Sequence, residues 1–566
     1  MTRGLRRRLT RYGDEAFSLF LRKAFIKAAG YSDDALDRPI VGITNTHSDF
    51  NPCHGNVPQL IEAAKRGVML SGAMPMVFPT ISIHESFASP TSMYLRNLMA
   101  METEEMIRAQ PMDSVVLIGG CDKTIPAQVM AAVSSEVPAI VLPTGPMSVG
   151  HHQGEELGAC TDCRRLWGAF RGGRIDRAEI ERINARLVPS VGTCTVMGTA
   201  STMACLMEAL GLALPLSGSA PAVMAERVHL AELAGRQAAR LAASDGPLAR
   251  EFVTAASLRN AMVVLQALGG STNGVVHLAA IARRAGLRLD LDQLDDIGRE
   301  VPVLVDLKPS GTRYMKHFHH AGGMPRLLKE VAPHLDLTAP TIDGRMLADV
   351  VAEAEEVPGQ TVIRSLATPL KPMGGIAVLR GNLAPRSAVI KHSAASERLM
   401  RHSGRAVVFD SLEDMARRID DDDLDVTADD VLVLRHAGPR GAPGMPEAGY
   451  LPIPRKLARQ GVTDMVRISD ARMSGTAFGT VVLHIAPEAA DGGPLAVVQT
   501  GDHIALDVPA RRLDLMIDET EMASRLEGLQ PALAARRRPD RGFARLYDDH
   551  VNQADDGADL DFLTGD

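Results

Sequence analysis

The sequence predicts an α/β protein in two parts, an N-terminal three-layer α/β/α domain followed by a mainly β domain. Three observations carry that reading. At 566 residues the chain is too long for a single apolar core. From about residue 39 to 360, short apolar runs alternate with helix-period stretches, as stacked βα units do. Beyond about residue 365 the texture changes to short β-rich runs between Gly- and Pro-rich loops.

In the first part, strands are expected at 39–44 (PIVGIT), 114–119 (SVVLIG) and 138–142 (PAIVL), with a further apolar strand at 75–83. Helices are expected at 57–70, 92–109, 124–134, 199–212 and 257–285. The second of these carries Met93, Leu95, Leu98, Met99, Met101 and Met106 on one face, a stripe better suited to core filling than to holding a cofactor. Strands and helices in this order make an open sheet covered on both faces. The boundary is expected near 355–372, at Pro358, Gly359 and Pro372, giving domains 1–365 and 366–566. In the second part the β runs are 375–380, 405–409, 430–434, 480–485 and 503–517, with 411–419 as one of few helices. The acidic, Gly-containing stretch from Asp548 reads as a surface tail.

Composition excludes several roles. Only 4% of the chain is aromatic, which argues against stacking platforms for single-stranded nucleic acid. A net charge of −8 argues against nucleic acid and anionic membranes. The basic start (Arg3, Arg6, Arg7, Arg8, Arg11) reads as a solvated amphipathic first helix or an oligomer contact. It lacks the apolar core of a secretory signal, and no run of about 18 apolar residues occurs. These points suggest a cytoplasmic protein, in which six Cys would be thiols, metal ligands or packing residues.

The densest chemical signal is GGCDKT at 119–124. It puts Cys121, Asp122 and Lys123 at the carboxyl end of a strand, where open α/β sheets bind ligands. The Walker spacing is absent, because Cys-Asp separates Gly120 from the lysine. Cys53 (NPCHGNV) and Cys194 (GTCTVMGTASTM) lie in similar small-residue loops. Three thiolates on three loops could ligate an iron–sulfur cluster and leave one iron open to substrate; singly, each could equally be a small buried hydrophobe. Cys160 and Cys163 form the one CxxC motif but have no second metal-binding pair, so a polar surface loop is expected, with redox sensing as the alternative. Cys205 reads as core. Glu85 (ISIHESF) could join Asp122 on one Mg²⁺, and Glu447 (GAPGMPEAG) lies where backbone can approach a ligand closely. Ser474, in RISDARMSGTAFGTVVLH, is an exposed-turn hydroxyl without the GxSxG of a hydrolase elbow.

Taken with ALGGSTN (267–273), PSG (309–311), AGG (321–323), VLRGNLAP (378–385) and SDARMSGTA, these strings resemble the dihydroxy-acid dehydratase/6-phosphogluconate dehydratase family along nearly the whole chain. The ARMSGTAFGTVVLH stretch and the ending GADLDFL look like its sugar-acid, L-arabinonate-type branch. The resemblance implies a 2Fe–2S cluster on Cys53, Cys121 and Cys194. It also implies Mg²⁺ on Glu85, Asp122, Glu447 and a carbamylated Lys123, with Ser474 as base and Thr476 beside the substrate. It implies a β-barrel-like second domain of the swivelling type seen in aconitase, and a homodimer or homotetramer. The expected reaction is elimination of the C3 hydroxyl of an aldonate to give a 2-keto-3-deoxy acid. A branched-chain dihydroxy acid, or a sulfonated or phosphorylated gluconate, is the alternative substrate. A non-catalytic metal–sulfur protein is the alternative class. Cys160, Cys163 and His84 depart from the family's usual pattern.

Overall fold

The computed structural model describes residues 3–9 and 13–564. Four parallel strands, β1 (Ile40–Asn45), β2 (Met74–Pro79), β3 (Ser114–Gly119) and β4 (Ala139–Pro143), form a sheet in the order β2-β1-β3-β4. β3 and β4 are buried throughout, as continuous apolar runs in a parallel sheet should be. The first helix, α1, spans Glu15–Lys27. Helix α2 (Val57–Leu70) links β1 to β2, α3 (Arg96–Ala109) links β2 to β3, and α4 (Thr124–Ser134) links β3 to β4. Right-handed crossovers in opposite directions from the centre place helices on both faces. Then follow α5 (Thr161–Arg171), α6 (Thr199–Ala209) and α7 (Ala225–Ser244), the last packed on α2. The α/β reading of this part therefore stands.

Four expectations need correction. The single helix at 257–285 is two, α8 (Ala255–Ala267) and α9 (Asn273–Arg284). Gly269, at φ +56°, ends the first although the apolar pattern continues. The strand at 75–83 stops at Pro79, because β1 ends at its partner Asn45 and offers no further ladder. The arginine start is not an amphipathic helix: residues 4–6 form a 3₁₀ turn, and Arg8 donates to the Ile107 and Arg108 carbonyls at the amino-terminal rim of the sheet. Arg11 lies outside the described residues.

The second part is a closed eight-stranded barrel. Its strands are β5 (Ala377–Gly381), β6 (Ala384–Ile390), β7 (Arg401–Phe409), β8 (Val431–Leu434), β9 (Arg467–Ser469), β10 (Val481–Ala486), β11 (His503–Asp507) and β12 (Arg512–Leu515). They run in the order β8-β9-β10-β6-β5-β12-β11-β7. Alternation decides which side fills the barrel: Val431 and Val433 join the interior cluster, whereas Leu432 and Leu434 pack outward on Leu451 and Leu457. The neighbours β7, β8, β9 and β10 are mutually parallel, so the loops that follow them leave one rim together.

The fourth correction concerns the stretch from Asp548, which is not a surface tail. Val551, Ala554, Ala558 and Leu560 are buried with Tyr547 against Met93 and Val276. The buried Arg96 donates to the carbonyls of Gly557 (2.8 Å) and Ala558 (2.9 Å). Asp559, acidic and so read as solvated, is buried in an ion pair with Arg284 at 2.6 Å. Among the described residues, no helix is long and apolar enough to cross a membrane.

Candidate active site

Every strand of the first sheet delivers its following loop to one edge. Cys53 lies in a 3₁₀ turn, Pro52–His54, after β1; Glu85 opens another, Glu85–Phe87, after β2; Cys121, Asp122 and Lys123 fill the turn between β3 and α4. His54 ties two of these loops together. Its Nε2 accepts from the backbone N–H groups of Gly120 (2.9 Å) and Cys121 (3.0 Å), while Nδ1 donates to the Thr46 carbonyl (2.7 Å). Burial pushes its pKa down to about 4, and the neutral ring is the form that both accepts and donates. Glycine is required at 120, since a Cβ there would lie 1.8 Å from Thr144 Oγ1, itself bonded to the Cys53 carbonyl.

Sulfur gathers at one end of the site. The ligand atoms of Cys53, Cys121 and His84 lie within 4.8 Å of one another. A hydrogen bond from Cys121 holds the Cys53 thiol below its ordinary pKa, and the same bond pushes Cys121 up. Cys194 precedes α6, and its Sγ is 3.2 Å from that of Cys160. The surface-loop reading of the CxxC is therefore wrong for Cys160. The polar residues around it belong to an exposed hairpin at 150–157, whereas Cys160 itself turns inward. Cys163 packs with Leu166 and Leu187 instead, and Cys205 is buried in α6 as expected.

Carboxylates gather beside the sulfur. Oxygens of Glu85, Asp122 and Glu447 lie within 4.8 Å of one another, joining the sheet edge to a 3₁₀ turn, Glu447–Tyr450, that follows β8. Lys123 is fully buried, with Nζ in contact with Asp122 and 3.8 Å from Glu85. Sequence reasoning missed Arg472, two residues before Ser474. Its buried guanidinium reaches Glu447 Oε1 at 2.5 Å, Glu85 at 3.2 Å and Thr91 Oγ1 at 2.7 Å. Burial raises the pKa of Glu85, but Arg472 and Lys123 outweigh it and hold the group well below the usual carboxylate range. For Glu447 burial wins, and its pKa is raised. The one signal for Arg472 was its place two residues before Ser474 in the same string.

Ser474 and Thr476 follow β9, their hydroxyls 2.8 Å apart. The turn is locked onto the first part of the chain. Thr161 Oγ1 donates to the Thr476 carbonyl at 2.8 Å, and a Cβ on Gly475 would meet Ser271 at 2.4 Å. Lys391, also missed, is buried at the end of β6 with Nζ 3.2 Å from the Gly475 carbonyl. Burial lowers its pKa to about 7.

The donor sets differ in kind. Buried thiols suit a soft thiophilic centre such as an iron–sulfur cluster, and a trio of carboxylates suits a hard divalent cation. Both fit residues that stand side by side at Cys121 and Asp122.

Residues 38–350 match the family described as Dihydroxy-acid/6-phosphogluconate dehydratase N-terminal, and residues 361–558 match the corresponding C-terminal family. The chain is 48% identical over 553 residues to an L-arabonate dehydratase of Azospirillum brasilense, covering 96% of this chain and 94% of that one. It is 45% identical over 557 residues to an L-arabinonate dehydratase of Rhizobium leguminosarum bv. trifolii, covering 98% and 95%. A 6-deoxy-6-sulfo-D-gluconate dehydratase of Pseudomonas putida is 45% identical over 534 residues, covering 94% and 91%.

Proposed function

Since the chain belongs to the dihydroxy-acid/6-phosphogluconate dehydratase family, we propose that it is a hydro-lyase converting an aldonate to its 2-keto-3-deoxy acid. The observation that carries this reading is the adjacency of thiols and carboxylates at Cys121 and Asp122, with Glu447 closing the set from the other half of the chain. Cys53, Cys121 and Cys194 would hold a 2Fe–2S cluster. Glu85, Asp122, Glu447 and Lys123 would hold Mg²⁺, Lys123 as a carbamate, because an uncharged or cationic amine there could not serve as an oxygen ligand. When bound, the two centres would supply Lewis acidity toward the C3 hydroxyl and toward the charge that develops at the carboxylate and C2 oxygen.

The protein's own part is positional and protolytic. Ser474 Oγ, held as its alkoxide when the cation is bound, would take the proton from C2 and become a neutral hydroxyl, and Thr476 Oγ1, 2.8 Å away, would fix its direction beside the substrate. Arg472 orients Glu85 and Glu447 toward a common point. The lock of Thr161 on the Thr476 carbonyl keeps the serine turn against the sheet edge. Exposed Phe17, Phe20 and Phe25 on α1 support a homodimer or homotetramer.

A second substrate reading has its own support. A cavity of about 1120 Å³, walled largely by apolar side chains such as Trp167, Phe170 and Ile453, also carries Arg164 and Arg174, with Arg171 paired to Asp420; Arg164 lies 3.9 Å from Glu447. Arg164 and Arg174 on its wall would suit a terminal sulfonate or phosphate, as on 6-deoxy-6-sulfo-D-gluconate. One anaerobic screen decides among the substrates, reading keto-acid production from pentonates, hexonates, their 6-sulfo and 6-phospho forms, and 2,3-dihydroxyisovalerate. Turnover of the last alone would reject the aldonate reading. Ser474→Ala should lower kcat by about 10²–10⁴-fold while leaving iron absorbance intact; full activity would reject its role as base.

A further inference from the structure

Two pairs of thiols, not three single ones, face the sulfur end of the site. Cys53 and Cys121 form one pair, and Cys160 with Cys194 forms the other at 3.2 Å. That spacing is well beyond a disulfide bond of about 2.05 Å. It is close to the roughly 3.8 Å that separates two sulfurs on one tetrahedral centre with metal–sulfur bonds of about 2.3 Å. Clusters of two irons held by four cysteines use two such pairs.

Cys160 is also held where it is by force. Its backbone lies at φ +78°, ψ −42°, near the rare and strained hand of the γ-turn. The two residues that follow over-determine this conformation. Thr161 is tied to the Thr476 carbonyl at 2.8 Å. Asp162, fully buried, accepts from the Gly158 N–H at 2.8 Å, from Lys308 Nζ at 3.0 Å and from the Tyr314 hydroxyl at 2.8 Å. Strain kept in place by this many bonds is characteristic of positions where a side chain must point one way. Cys163, one helical turn on and free of such strain, points elsewhere.

We propose that Cys160 is a fourth cluster ligand in this chain, sharing one iron with Cys194 while Cys53 and Cys121 share the other. This rests on the cluster assigned above, and it changes that assignment. The iron that three cysteines would leave open is closed by Cys160 in the resting protein, and Cys160 must give up that position before a substrate hydroxyl can take it. The exchange alters ligands and leaves the iron oxidation states unchanged. His84, within reach of Cys53 and Cys121, is the competing donor on the other iron.

The test uses full-length protein reconstituted anaerobically with iron and sulfide. Iron K-edge absorption should count sulfur alone around both irons of the wild type. Cys160→Ser should keep about two irons per chain, yet show an oxygen ligand and a shifted visible and electron-paramagnetic spectrum. Adding L-arabinonate or the substrate found in the screen should move the wild-type spectrum in the same direction. Cys163→Ser should change none of these, and thermal melts establish that each variant is folded. Identical spectra for wild type and Cys160→Ser, or a nitrogen or oxygen ligand in the resting wild type, would overturn the proposal while leaving the dehydratase reading intact. Loss of all iron from a folded Cys160→Ser would confirm ligation and overturn its displacement by substrate. A wild type that binds no iron would overturn both readings.

Discussion

Lys391 shows how one buried side chain can govern pH behaviour. Its amine sits inside the barrel end with the Gly475 carbonyl as hydrogen-bond partner, and burial has pulled its pKa to about 7. The unfolded chain keeps the proton up to about pH 10.4, so between pH 7 and that limit the unfolded state binds more protons than the folded one. Stability supplied by this residue therefore rises with pH across that window, by at most about 1.4 kcal/mol per unit. Urea unfolding of wild type and Lys391→Met at pH 7 and pH 10 should show the wild type gaining on the variant; an unchanged difference would remove Lys391 as the cause. Neither Lys391 nor Arg472 was legible in the sequence. Lys391 closes an apolar strand and Arg472 follows Asp470 in a mixed turn, and neither setting names the group that the charge meets. Gly475 is 84 residues from Lys391, and Glu447 and Glu85 are 25 and 387 residues from Arg472. Cys53, Cys121, Glu85 and Asp122 were legible because each follows a strand whose apolar run announces it. Cys160 was misread because the polar residues beside it look solvated, whereas Thr161 and Asp162 are themselves buried against distant partners.

At the scale of elements, the turn between β3 and α4 is constrained on several sides at once. It must present a thiol, a carboxylate and an amine in three consecutive positions while its backbone N–H groups reach the His54 ring. Gly120→Ala should therefore act out of proportion to one methyl group. The added carbon would lie 1.8 Å from Thr144 Oγ1 and 3.0 Å from Thr193, a clash of the kind that costs about 1–3 kcal/mol. Displacement of the turn should also lower iron occupancy after reconstitution. Thermal melting together with an iron assay checks both effects, and an unaffected iron content would show that the loop can move aside without harm to the thiols. Strand and helix positions in this half follow from apolar runs and their periods. The break between α8 and α9 does not, because Gly269 and Gly270 interrupt a pattern that is apolar on both sides.

Over the whole molecule, the two halves are joined by buried polar contacts rather than by a linker alone. The segment after Asp548 returns to the first half, where Asp559 neutralises Arg284 and the carbonyls of residues 557 and 558 satisfy Arg96. Removing one partner of a buried ion pair costs about 3–5 kcal/mol, and Glu104, 3.4 Å from Arg284, offsets part of that, so Asp559→Ala should lower the urea midpoint, and Arg284→Met combined with it should recover part of the loss. Equal destabilisation by the single and double variants would exclude the unpaired charge as the cause. That the second half is mainly β was foreseeable from its short β runs, and a barrel was implied by the family resemblance alone; closure and strand order were not legible, since pairing across a barrel is set by partners far apart in sequence. The contact of Arg472 with Glu85, and of Gly475 with Ser271, carries a consequence for recombination. A chimera of two relatives crossed over between Glu353 and Ala377 would inherit its sulfur donors from one parent and its serine from the other. Such hybrids would succeed or fail on whether those few seam residues were co-inherited, however similar the parents are elsewhere.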